Sequence, residues 1–144
     1  MGVYSSGVIK NSNGDLFNGI SGTAYQFNSK DTTAPSISAI TTSAFSWNSV
    51  LNATEGNSDG TVTVTTTGVE DNQTLTLKLY LNSNNSLIST QTGTITSNST
   101  DVTITSSTLG NLTNGATYYF KADVSDAAGN AASQVTSSTF TVDT

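Results

Sequence analysis

The stretch "LTNGATYYFKADVSD", residues 112–126, decides the fold. From Tyr118 onward its large side chains alternate, with Tyr118, Phe120, Ala122 and Val124 on one side and polar residues, Lys121 among them, on the other. A period of two is the signature of a strand with one face against a core and one toward water. The strand is preceded by Asn114-Gly115, a pair suited to a tight corner because glycine adopts positive φ without steric cost.

The same period recurs outward in both directions. In "TVTVTTTGV" (61–69) Val62 and Val64 share a face, and in "QTLTLKLYL" (73–81) so do Leu75, Leu77, Leu79 and Leu81. "DVTITSS" (101–107) offers Val102 and Ile104, "SISAIT" (36–41) and "LISTQTGTIT" (87–96) supply two further strands, and "SQVTSSTFTVD" (133–143) reads as a last, less regular one. Turn-forming clusters separate them at "EGNSDG" (55–60), "EDNQ" (70–73), "NSNNS" (82–86), "LGNLTNG" (109–115) and "DAAGN" (126–130). Short alternating strands at this spacing, with no helical period anywhere, predict an all-β, antiparallel β-sandwich. Tyr118 sharpens the prediction. In immunoglobulin-like sandwiches a tyrosine at the start of the sixth strand buries its ring and bonds back to the backbone of the preceding corner.

Composition narrows the function. Charged residues are 10% of the 144, against a usual quarter, and roughly a third of the chain is Ser or Thr. The net charge is −6, with Lys10, Lys30, Lys78 and Lys121 as the whole basic complement and no arginine. A nucleic-acid surface needs clustered Lys and Arg, so nucleic acid is not an expected partner. No apolar run is long enough to span a bilayer, so membrane insertion is not expected either. The small partner that this charge balance favours is a cation.

With no His and no Cys, a Ser–His triad, a Cys–His pair and an ordinary zinc site are chemically impossible. The ten acids fall mostly in turns rather than as a pair across a cleft, and no enzyme activity is expected. Lys78 and Lys121 alternate outward, which disfavours a buried Lys–Asn or Lys–Asp crosslink. The Thr-x-Thr runs read as solvent faces of strands, since a twisted sandwich lacks the flatness of an ice-binding threonine ladder.

"DTTAPSI" (31–37), "WNSVLNATEGNSDGTVTVTTTGVEDNQTLTLKL" (47–79) and "YYFKADVSDAAGNAA" (118–132) together resemble the bacterial Ig-like repeats of giant RTX- or BapA-type surface adhesins. The D-T-T-A-P opening and the D-A-A-G-N-A-A loop are the most specific parts. The resemblance implies an Ig-like domain over residues 31–144, strung head to tail with neighbouring repeats in a parent chain at the bacterial cell surface. It implies that Asp143-Thr144 opens a following repeat and that "TAYQFNSK" (23–30) closes a preceding one. Trp47 is expected to pack at the sandwich edge. Residues 1–30 depart from the family pattern and are expected to form a short N-terminal β extension, either the end of a preceding unit or an extra hairpin or strand.

The acids divide between the two ends of such a sandwich. One end would gather Asp31, Glu70, Asp71, Asp101 and Asp126, with Asn130 beside them; the other, Glu55, Asp59 and Asp143. Calcium takes several carboxylate and carbonyl oxygens held at turns, and the resemblance implies calcium at the joints between repeats. Asp and Asn also favour turns for local reasons alone, so the same residues serve equally as turn formers. The expected function is a structural spacer in a repetitive extracellular adhesin, stiffened by calcium. Two alternatives stand beside it: a subunit of a self-assembling surface layer or fibre, using the N-terminal segment for strand addition, and a ligand-binding tip domain around Tyr4, Phe17, Tyr25 and Phe27.

Overall fold

The computed structural model describes Asn13, residues 30–41 and residues 49–144. The chain divides into two units, Met1–Lys30 and Asp31–Thr144. The expected N-terminal extension, its four aromatic residues and Trp47 lie outside the described residues.

Among its described residues the second unit has nine strands: β1 (Ser36–Thr41), β2 (Val50–Asn52), β3 (Gly60–Thr67), β4 (Thr74–Leu81), β5 (Ser86–Thr94), β6 (Ser99–Ile104), β7 (Thr117–Asp123), β8 (Val135–Thr136) and β9 (Phe140–Asp143). One sheet has the order β1-β3-β6 and the other β2-β9-β7-β4-β5, with β8 also paired to β7. All pairings are antiparallel except that of β2 with β9, where Leu51 lies opposite Val142.

Alternation places the core. Val62, Val64, Val102 and Ile104 descend from the small sheet onto Leu75, Leu77, Leu79, Phe120 and Ala122 of the large one, all buried. Phe140 stacks between Tyr118 and Phe120, each pair of ring centroids 5.8 Å apart. Burying each such side chain contributes about 1.5–3 kcal/mol, which lets the unit do without disulfides. Thr66, Thr100 and Asp126 are the buried polar residues among those described, and the Thr66 hydroxyl has no hydrogen-bond partner there.

The corner foreseen at Tyr118 is present. Its ring is 2% exposed, and its hydroxyl accepts the Thr113 N–H at 3.0 Å. Gly115 takes φ +77° and donates its N–H to the Val142 carbonyl, tying the corner to the last strand. These features and the strand order make the unit an immunoglobulin-like sandwich.

The structure departs from the sequence expectation in four places. The strand read over 133–143 is two short ones, because the Ser137 hydroxyl accepts the Phe120 N–H while the Ser137 N–H donates to the Phe120 carbonyl, so side chain replaces ladder there. The strand read over 101–107 stops at Ile104 and gives way to α1 (Ser106–Leu109). Thr105 caps that single turn, accepting from Thr108 N–H, and Leu109 plugs the end of the core. Finally, β2 and a 3₁₀ turn over Glu55–Asn57 had no periodic signal.

Candidate functional site: the two acidic poles

The sandwich has two poles, and β7 runs between them. Loop 68–73, turn 95–98 and loop 124–134 form the first pole. Asp71 Oδ1 accepts the Ser97 N–H at 2.7 Å, and Glu70 Oε2 accepts the Ala127 N–H at 2.9 Å. The Asn130 amide reaches the carbonyls of Asp31 and Thr33, at 3.3 and 3.5 Å. This anchors the segment leading into β1 on the loop after β7. Asp31 Oδ1 itself accepts the Thr33 N–H at 2.8 Å.

Asp126 organises this pole. Its side chain is 4% exposed, and its two carboxylate oxygens accept from the Asn130 backbone and side-chain N–H groups at 2.7 and 2.8 Å. The Asn130 side chain, opposed by burial and helped by backbone N–H groups, holds the carboxyl below the usual carboxylate range. Asp126 is therefore ionised at neutral pH and committed to the shape of its own loop.

Asp101 stands apart from the group in which it was expected. It is the third residue of β6, on the outer face of the small sheet, and its Oδ1 accepts the Thr63 hydroxyl at 2.6 Å. The cause is register. Thr100 and Val102 take the inward positions, so Asp101 is turned to solvent along the strand and not at its tip.

The second pole holds α1, the 3₁₀ turn and the tyrosine corner. Glu55 Oε2 accepts the Asn52 N–H at 3.1 Å, and Asp59 Oδ1 accepts the Ser106 N–H at 2.6 Å. Asp143 pairs in register with Asn52, and the Thr144 N–H reaches Asn114 Oδ1 at 3.0 Å. The strand order thus puts Glu55, Asp59 and Asp143 at the pole opposite Asp31, Glu70, Asp71 and Asp126.

Among the described residues no three acidic side chains gather to hold a metal ion. The donors at each pole are of the hard-oxygen kind that calcium uses.

The outer face of the large sheet carries the two lysines of this unit. Lys78 bonds Asp123 at 2.9 Å, and Gln134 donates to the other oxygen of the same carboxylate at 2.6 Å. Burial pushes the Asp123 carboxyl up, but the bonds from Lys78 and Gln134 outweigh it, and the group stays below its ordinary value. Lys121 lies over the stacked rings of Tyr80 and Tyr119, 5.6 and 5.8 Å from their centroids. Both lysines face outward, as the alternation required.

Two sheets in this order, closed by a tyrosine corner and acidic at each pole, define an immunoglobulin-like module. No protein-family model matches the chain, and no curated protein matches it. Among solved structures, it is similar to a bacterial immunoglobulin-like domain from the M. primoryensis ice-binding adhesin, at 28% identity and a TM-score of 0.44, over 76% of this chain and 95% of that one. It is also similar to a Ca²⁺-stabilized adhesin with which an Antarctic bacterium reaches out and binds ice (30% identity, TM-score 0.49, 78% of this chain). A third similarity is to a 1.5-MDa bacterial ice-binding adhesin studied for its retention at the host cell surface (28% identity, TM-score 0.45, 80% of this chain). The alignments span 25% and 33% of those two chains.

Proposed function

We propose that this chain is a spacer module of a repetitive adhesin on the outside of a bacterial cell. The observation that carries the reading is the position of the unit's ends. The segment before β1 is anchored on loop 126–130 at one pole, and Thr144 is anchored on Asn114 at the other. A module whose chain enters at one pole and leaves at the opposite one stacks end to end, and each copy then adds its full strand length to the reach of the arm. With no His or Cys for the commonest covalent chemistry, the function proposed is mechanical.

Calcium has a place in this proposal at the joints. Glu55, Asp59 and Asp143 of one module would face Asp31, Glu70 and Asp71 of the next and share the ion, while Asp126, held by Asn130, would keep its loop in shape. Extracellular modules bind calcium at roughly 10⁻⁴–10⁻³ M. At ~10 mM calcium that contributes roughly 1.4–2.7 kcal/mol per site, enough to stiffen a joint but not to create the fold.

The test is small-angle X-ray scattering on two copies of residues 31–144 joined head to tail. A maximum dimension near twice that of one copy is expected, with a narrower spread of shapes in calcium than in chelator. Two copies folded back side by side would refute the spacer reading. Equal behaviour in calcium and chelator would remove the metal and leave a plain spacer.

A further inference from the structure

The edge of the large sheet at β5 offers an interaction surface. The hydrogen-bond pattern fixes which backbone groups face outward. Ile95 N–H donates to the Gln73 carbonyl, and the Ile95 carbonyl accepts from Asn72 N–H, so Ile95 directs both groups at β4. An antiparallel ladder alternates, so Gly93 and Gln91 also face β4, while Thr90, Thr92 and Thr94 direct N–H and C=O away from it. The far side of the sheet gives the same parity independently. Phe120 exchanges bonds with Ser137, pointing away from β4, which makes Lys121 and Lys78 the groups joining β7 to β4. Among the described residues nothing pairs with the outward side of β5.

From Ser89 to Thr94 this edge lacks the usual protection. Open edges are blunted by charge, proline, bulges or shortness. The edge strand β2 is three residues long, β1 is interrupted by a register shift between Ile37 and Ala39, and β6 carries Asp101. By contrast β5 has nine residues, its own register shift is confined to its start, between Leu87 and Ser89, and residues 79–100 contain neither a charged side chain nor a proline. At its start Leu87 and Ile88 are 53% and 42% exposed, two of the three exposed large hydrophobic residues among those described.

We propose that the β5 edge pairs with β5 of a second copy of this chain, antiparallel about a twofold axis through Thr92. The charge distribution selects the occupant. Copies with a net charge of −6 repel, and like charges directly opposite one another in a ladder are destabilising. β5 is the long edge along which two copies meet with no carboxylate in the contact. The pattern is also self-complementary. With Thr92 on the axis, Thr90 of one copy lies opposite Thr94 of the other, and the outward groups of the three threonines close about six backbone hydrogen bonds. The large sheet then runs unbroken through both copies. Taken with the spacer reading, on which this one consequence rests, antiparallel pairing joins arms pointing in opposite directions, as arms from two facing cells do.

The experiment is equilibrium sedimentation of the 144-residue chain over a range of concentrations, with Thr92→Pro and Thr92→Lys. The Thr92 N–H points away from β4, so proline there removes no bond within the unit and the melting temperature should hold. A concentration-dependent dimer is expected for the native chain, weakened at least about tenfold by either substitution. Thr92→Cys should become disulfide-linked between copies on mild oxidation, while Asp101→Cys should not. A chain that stays monomeric, or a dimer that both Thr92 variants leave intact, overturns the proposal. So does a monomer whose Thr92 amide is protected from hydrogen exchange, since another segment of the chain would then occupy the edge. The head-to-tail scattering experiment does not depend on this edge, so failure here leaves the spacer reading standing.

Discussion

At the scale of single residues, Tyr118 shows how much chemistry one position can carry. Its ring fills the core beside Phe140, and its hydroxyl satisfies a backbone N–H in a corner where no ladder reaches. Tyr118→Phe keeps the ring and orphans the Thr113 N–H. The expected cost is about 1–3 kcal/mol, read as a lower urea midpoint at unchanged slope. The tyrosine was legible in sequence because its role depends on near neighbours, a corner glycine and the strand that follows. Asp126 was legible only in part. Its place at a loop was evident, but that Asn130 would occupy both carboxylate oxygens depends on the backbone path through Gly129, at φ +87°. The spacing of letters does not encode that path.

At the scale of elements, alternation located the long strands, because a buried face imposes its period on six or more residues. It could not locate β2, which is three residues held by β9, nor α1, a single turn sustained by its cap and by Leu109. Such elements depend on partners far along the chain and carry no period of their own. Sheet membership was equally hidden. Consecutive strands β5 and β6 lie in different sheets, and what lets them approach is Gly93. A Cβ there would lie 2.6 Å from Thr100 Oγ1 and 3.0 Å from Val102 Cγ2. Gly93→Val is therefore expected to destabilise the unit by about 1–3 kcal/mol through overpacking, measured by urea unfolding. Nothing in "TQTGTIT" marks that glycine as a contact between sheets, since a glycine in a strand reads equally as a bulge.

At the scale of the whole molecule, the acids set the response to pH. The Asp126 and Asp123 carboxyls lie below their ordinary value of 3.8 in the folded state. A lowered folded value means that the stability they contribute is complete above the ordinary carboxylate range and is lost as pH falls through the lowered one. The melting temperature should accordingly be level from about pH 7 to 5 and fall steeply below about pH 4. Asp126→Asn should lower it at pH 7 and flatten that acid decline, which calorimetry across pH would reveal. An equally steep decline in the variant would place the acid sensitivity elsewhere.

The anchoring of Asp31 at one pole and Thr144 at the other fixes how tension would pass through the unit. A pull between those points acts lengthwise on β1 against β3 and on β9 against its two neighbours. The bonds of each pairing are then strained together in shear and cannot open one at a time from an end. Rupture requires most of them to fail at once, so the domain should resist stretching far better than its modest core would suggest.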